Sequence, residues 1–267
     1  MKNRLSVSLL ALNDFSKLDD FLDLMKKNDI RYIELPITKI LPNYEINKRK
    51  IQNFLKKISK YKIKISSVQA IFYKKKLNVL KIDDHEKIIK HLNKILLITK
   101  LLKTKNVIFG SPKNRIKGDL SNQDAFKIFK NLLSKIQSKL IKNNINFCIE
   151  PNSKYYSCDF ILNSSDALKF INYAKIKNLA INFDTGNALL EKDKMKILRK
   201  HQKYFKNFQV SEKNLLSLKK DTKRHKQLLS KFDINKQFIS LETLNVNLKD
   251  LKKDITLFKS ITSFNRR

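Results

Sequence analysis

The chain of 267 residues has no tryptophan, three glycines and two cysteines, and its 24 Asp and Glu are outnumbered by 58 Lys and Arg. Each shortage excludes something. No Gly-x-Gly-x-x-Gly follows any apolar run, so a Rossmann dinucleotide site has no support. Cys148 and Cys158 form neither a disulfide framework nor a Cys-x-x-Cys pair, and a reducing cytoplasm is the expected location. No stretch approaches the roughly 20 apolar residues of a membrane span. The opening Met-Lys-Asn-Arg followed by Leu5 to Leu12 resembles a miniature secretion signal, but Ser6 and Ser8 interrupt it and no small-residue cleavage site follows. It reads as a first strand.

The deficit of acid leaves a formal charge of +34, a value that ordinarily points to nucleic acid or anionic lipid. Here the cause is compositional: Lys, Asn and Ile are used heavily throughout, as an A+T-biased coding sequence produces. Basic residues occupy nearly every helical polar face, as at 47–50, 100–105 and 194–203, instead of gathering into one stripe. A solvated lysine surface is expected, and a nucleic-acid partner is not.

What is present is an unbroken alternation. Apolar, β-prone runs fall at 4–10, 31–35, 63–70, 106–110, 145–150, 179–184, 207–211 and 237–242. Helical periodicity fills the gaps at 15–27, 47–60, 83–103, 122–142, 166–177, 192–206, 222–231 and 248–264. In the fourth of these, Phe126, Phe129, Leu133, Ile136 and Leu140 share a face behind a Ser121 cap. Eight such units predict an α/β fold, a single-domain closed (β/α)8 TIM barrel, and a 42% hydrophobic chain of this length can fill one.

Three of the runs end in acid: Glu150, Asp184 and Glu242. Their separations of 34 and 58 residues match one and two strand-helix repeats, so the strand ends bring them to one mouth. Converging carboxylates repel unless a cation meets them, which points to a divalent metal. The segments after the fourth and fifth runs, 111–120 and 151–165, are long and rich in Pro, Asn, Ser and Tyr, while most returns to the next strand are short. That asymmetry marks the catalytic face of a barrel. Gly110 and Gly186 both lie on it.

Ile33-Glu-Leu-Pro36, Ser67-Val-Gln69, the run from Phe109 to Arg115, Cys148-Ile-Glu-Pro-Asn152, Asp184-Thr-Gly186, Val210-Ser-Glu212 and Ser240-Leu-Glu242 together resemble the sugar phosphate isomerase/epimerase family of xylose isomerase-like TIM barrels. The resemblance implies a divalent metal held by Glu150, Asp184, Gln209 and Glu242. It also implies that Glu150 and Glu242 act as base and acid in an isomerisation or epimerisation through an enediolate. Gln209 departs from the pattern, which usually has His there; a neutral amide oxygen gives an all-oxygen set and favours Mg²⁺ or Mn²⁺ over zinc. Asn187 stands where sugar epimerases often carry a further His, and an amide moves no protons near neutral pH.

Other residues take expected roles around the substrate. Glu34 and Gln69 end the second and third strands and either meet substrate hydroxyls or pack inside the barrel. Asn152 is read as a substrate contact and Glu212 as a supporting or substrate residue. Lys113 and Arg115 make an anionic group plausible, although the Arg115 fork can equally tie its loop down. Tyr155 and Tyr156 are candidates for a lid. None of His85, His91, His201 and His225 ends a strand, so the multi-histidine zinc site of an apurinic endonuclease, which shares this barrel, is disfavoured. His225 is expected to be structural or at the surface. The leading expectation is a metal-dependent isomerase or epimerase of a small sugar, sugar phosphate or polyol. The competing one is a noncatalytic barrel that binds a carbohydrate or a partner protein.

Overall fold

A computed structural model of the protein describes residues 4–235 and 237–263. Eight parallel strands close on themselves in sequence order: β1 (Arg4–Ser8), β2 (Tyr32–Pro36), β3 (Lys64–Gln69), β4 (Asn106–Phe109), β5 (Asn146–Ile149), β6 (Leu179–Asp184), β7 (Phe205–Ser211) and β8 (Phe238–Glu242). Around them run α1 (Leu18–Lys27), α2 (Lys48–Lys60), α3 (His85–Leu101), α4 (Asn122–Ser134), α5 (Gln137–Lys142), α6 (Ser164–Ala174), α7 (Thr185–Leu190), α8 (Met195–Lys200), α9 (Lys223–Leu229) and α10 (Leu248–Thr262). Side-chain caps start several of them: Asn47 accepts from the Lys50 amide, Ser121 from Asp124, Asn163 from Asp166 and Asn247 from Asp250. No described helix is long and apolar enough to cross a membrane.

The hydrophobic core lies in the annulus between sheet and helices. Alternate strand residues such as Val7, Ile33, Leu35, Val107, Phe109, Phe183, Val210 and Leu241 point outward into one continuous apolar cluster. The inward positions are polar instead: Ser6, Glu34, Ser67, Asn106, Asn182, Asn207, Gln209 and Ser240 are all buried. Only Ile108, Cys148 and Ala180 form a second apolar cluster. Barrel interiors usually carry bulky branched side chains; this one carries a hydrogen-bonded polar axis.

Two register shifts interrupt the pairing, between Ile33 and Glu34 against β3 and between Ile181 and Asn182 against β7. They leave Ser66 and Lys206 as extra residues, and each re-aims the inward side chains that follow.

All eight expected strands are present, and the helices differ in three places. The run expected at 122–142 is divided, because Lys135 and Ile136 bond back to Leu132 and Leu133 in tight turns while Ile136 is pinned in the core. The helix expected at 192–206 ends early, and β7 starts at Phe205, whose ring is drawn into a cluster with Phe183, Phe208 and Phe232. Helix α7 follows β6 directly and has no counterpart among the sequence expectations. The last helix was expected to reach Phe264, which lies outside the described residues. Both cysteines are free and buried.

Candidate functional site

The C-terminal ends of the strands surround a cleft of about 250 Å³, lined by Glu150, Asp184 and Glu242 together with Gln69, Asn152, Asn187, Ser211 and Tyr156. That volume sits at the small end for ligand pockets and admits one small molecule. No lysine or arginine lines it, on a chain with 58 of them. Burial pushes the Glu150 carboxyl up to about 8, with Asp184 and Glu34 adding repulsion, and pushes Asp184 up to about 6. Burial also raises Glu242 well above the usual carboxylate range, reinforced by Glu150, Glu34 and Asp184. The three acids feel one another through a dry, acidic mouth.

Below the cleft, four side chains close a ring. Gln209 Nε2 donates to Glu34 Oε1 at 2.7 Å, Asn182 Nδ2 donates to Gln209 Oε1, Asn207 Nδ2 donates to Asn182 Oδ1 at 2.8 Å, and the same Asn207 nitrogen reaches Glu34 Oε2 at 3.3 Å. Ser67 adds a third donor to Glu34 at 2.5 Å. The ring connects upward through Asn182 Nδ2, which donates to Glu150 Oε2 at 3.0 Å. Glu34, for which substrate contact and interior packing were both open, takes the interior place, and Gln209, expected at the metal, joins it; both are fully buried in this ring and do not line the cleft. Burial raises the Glu34 carboxyl, and its three donors lower it.

Asp184 ends β6 and caps α7 in the same step, its Oδ1 accepting from the Asn187 amide at 2.7 Å. Its Oδ2 is buried with no hydrogen-bond partner among the described residues. The Asn187 side chain lines the cleft but is used at both ends, donating to Leu162 O at 3.0 Å and accepting from the Ser153 amide at 2.5 Å. Gly186 admits β7: a Cβ there would stand 2.5 Å from Ser211 Oγ and 2.8 Å from Ser211 O.

Behind α7, His225 Nδ1 lies 2.8 Å from Thr185 Oγ1 and its Nε2 lies 3.3 Å from Glu212 Oε1. Arg224 Nη2 reaches both Glu212 oxygens, at 2.5 and 2.6 Å. Burial alone would raise Glu212, but Arg224 and His225 hold it below its ordinary value. Glu212 is therefore tied into the wall, and His225 is a buried brace, not a surface residue.

The long loops complete the rim. Arg115 is fully buried and donates through Nη2 to Glu150 O and Asn152 Oδ1, both at 2.7 Å, so of its two open roles the geometry gives it the tie. Asn152 passes this on, donating to Glu150 Oε1 at 3.1 Å. Lys113 is exposed on a turn away from the cleft. Tyr156 faces the cleft and its hydroxyl accepts from the Asn214 amide at 3.1 Å, while Tyr155 is packed under the Lys213 ammonium. Both tyrosines thus strap the β5 loop to the segment after β7. Gly110 lets the Glu150 carboxylate lie against the backbone, since a Cβ would meet Glu150 Oε1 at 3.1 Å.

The sequence reading missed Asn182, Asn207, Thr185 and Ser211, while His225, read as structural or at the surface, is structural. A signal existed for two of them: Asn182 and Asn207 stand two residues before Asp184 and Gln209, at the same inward parity of their strands.

The donor chemistry suits a hard divalent cation. Three carboxylates face one cleft, all pushed toward their neutral forms by burial and mutual repulsion, and Asp184 Oδ2 is an orphaned acceptor. The amide oxygen of Gln209 is engaged by Asn182. Among the described residues, no group of three or more His, Cys, Asp or Glu side chains stands close enough to hold an ion as arranged. Loading would require the carboxylates to turn toward one another.

A search of curated protein sequences finds no significant match. Among solved structures, the chain is similar to 3-keto-D-glucoside 4-epimerase from E. coli, with a TM-score of 0.77, 12% identity and coverage of 98% of this chain and 100% of that one. It is similar to D-psicose 3-epimerase from Clostridium cellulolyticum H10, solved with D-tagatose, at a TM-score of 0.75, 12% identity and 98% coverage of both chains. A third, the IolI protein solved with a zinc atom, gives a TM-score of 0.72 at 14% identity, covering 97% of this chain and 96% of that one. At such identities the likeness is one of fold. The family model for the xylose isomerase-like TIM barrel matches residues 22–249, a span holding every carboxylate of the mouth and of the ring beneath it, and the chain belongs to that family.

Proposed function

We propose that the protein is an isomerase or epimerase of a small sugar or polyol derivative without a phosphate group, acting by proton transfer next to a carbonyl with a divalent cation, Mg²⁺ or Mn²⁺, at the mouth. The observation that carries this reading is the set of three carboxylates from three strands around a small cleft that no cationic side chain lines. Apart from that cation, no side chain of the cleft offers a phosphate a positive charge.

Glu150 and Glu242 approach from strand ends three places apart around the barrel, so they address different sides of a bound sugar. One removes the proton adjacent to the carbonyl, the electron pair passes to the carbonyl oxygen as an enediolate, and the other returns a proton to carbon. Asn182 and Asn152 fix the Glu150 carboxylate from two directions. Leu10, Ile108 and Leu215 give the cleft an apolar part to its lining. A divalent cation held by Glu150, Asp184 and Glu242 would supply charge to stabilise the developing oxyanion and would keep one of the two glutamates ionised as the base, while the other, raised by burial, keeps the proton it returns to carbon.

The test is hydrogen exchange. The protein, with and without Mn²⁺ or Mg²⁺, is incubated with a panel of ketoses in deuterated water and the sugars are analysed by mass spectrometry. We expect deuterium at the carbon beside the carbonyl in a metal-dependent manner, and Glu150→Gln and Glu242→Gln to lower it by about 10³-fold with unchanged circular dichroism. Elemental analysis of the purified protein and of Glu150→Gln reports the metal directly. A second reading, a noncatalytic carbohydrate-binding barrel, is favoured by the engaged amides of Gln209 and Asn187. Sugar binding without exchange, indifferent to chelator, would establish it in place of the first.

A further inference from the structure

At the opposite end of the axis, the N-terminal ends of the strands enclose a second cavity of about 340 Å³. Arg4 of β1, Lys64 of β3, Lys206 of β7, and Lys103 and Lys105 of the α3–β4 connection line it, and no carboxylate does. Among the described residues none of these five cations makes a salt bridge, whereas Arg31, Lys57, Lys90 and Lys253 each have a carboxylate within 2.9 Å. The Arg4 guanidinium lies over the Phe238 ring, 5.2 Å from its centroid.

Four of its five cations are exposed at the rim and Lys206 is half-buried, but the base beneath them is built into the barrel. Both register shifts of the barrel open onto it, since the two extra residues they create, Ser66 and Lys206, are part of its lining. It has a polar floor: Asn146 Nδ2 donates to Asn106 Oδ1 at 2.9 Å, and Asn106 Nδ2 crosses the barrel to Lys206 O at 3.4 Å. Thr104 Oγ1 donates to Ser66 O at 2.8 Å. Uniform lysine on a solvated surface explains a basic face, but it does not explain why five cations from four segments meet at a concave, acid-free, hydroxyl- and amide-lined site.

We propose that this floor cavity is a binding site for a small polyvalent phosphate, independent of the mouth. Compact ammonium groups on flexible stems can close around such an anion, with the Arg4 fork for bidentate contact and the amides for neutral oxygens. The concavity favours a compact oligophosphate over a polymer, whose backbone would need an open groove.

Tripolyphosphate is the probe, titrated calorimetrically into the full chain at physiological ionic strength. We expect one saturable site, weakened about tenfold or more in Lys64→Gln/Lys206→Gln. In Lys56→Gln/Lys127→Gln, which removes the same charge from exposed positions of α2 and α4, affinity should stay within about twofold. Glu150→Gln should bind as the wild type does, which separates this site from the mouth. Equal weakening in both double variants, or the lack of a saturable site below millimolar concentration, overturns the proposal. So does tighter binding of a single-stranded oligonucleotide that both double variants weaken alike.

Discussion

Glu34 is the residue on which the polar axis turns. Three donors, from Ser67, Gln209 and Asn207, converge on its two oxygens with no exposure to solvent. Glu34→Ala would remove the acceptor these three donors share and leave Gln209 Nε2 without its partner in the ring, and we expect a loss of about 2–4 kcal/mol in urea unfolding. A loss under 0.5 kcal/mol would show that the ring is not load-carrying. The mouth acids give a second prediction at this scale. Glu150 and Asp184 titrate near 8 and 6 in the fold against ordinary values of 4.5 and 3.8, so the native state holds protons that the unfolded chain has released. The contribution of these two acids to the stability of the cation-free protein should therefore be fully present below about pH 4 and fall as pH climbs toward 8. Urea midpoints at pH 5 and pH 8 in chelator check this: wild type should lose more than Glu150→Gln, and a steeper fall in the variant would refute it. Of this layer the sequence revealed the carboxylates, because an acid ending an apolar run is conspicuous. It did not reveal that Gln209 and Arg115 turn away from the cleft, because the partners that claim them, Glu34 and the carbonyl of Glu150, lie 175 and 35 residues away in the chain.

At the scale of elements, β6 and α7 act as one piece. Asp184 belongs to the strand, caps the helix and faces the cleft, and the Thr185 hydroxyl beside it is braced by His225 from α9. Gly186 makes this junction feasible against β7. Gly186→Ala should cost about 1–3 kcal/mol and depress exchange activity more than it depresses stability, because the displaced strand end carries Ser211 into the cleft. Adding Ser211→Ala should not restore it, since the Ser211 carbonyl at 2.8 Å still blocks the new methyl. Full rescue by the double variant would assign the close contact to the hydroxyl alone. The eight strands and most helices were legible from periodicity, as Ser121 and the face behind it show. Helix α7 was not, because six residues offer too short a pattern and its cap is also a site residue.

For the molecule as a whole, the alternation of strand and helix sufficed to read a closed barrel, but not the chemistry of its two ends. Lysine is spread so evenly along the chain that no linear stretch marks 4, 64, 103, 105 and 206 as neighbours; only closure of the barrel makes them so. The same closure leaves the acids at the other rim. The buried inward side chains of Asn106, Asn182, Asn207, Gln209 and Glu34 lie between the two ends, so these are not openings of one passage. On the two assignments proposed above, the barrel would act as an electrical rectifier for solutes: anions would collect at the floor, away from the reacting groups, and a neutral sugar would enter the acidic rim.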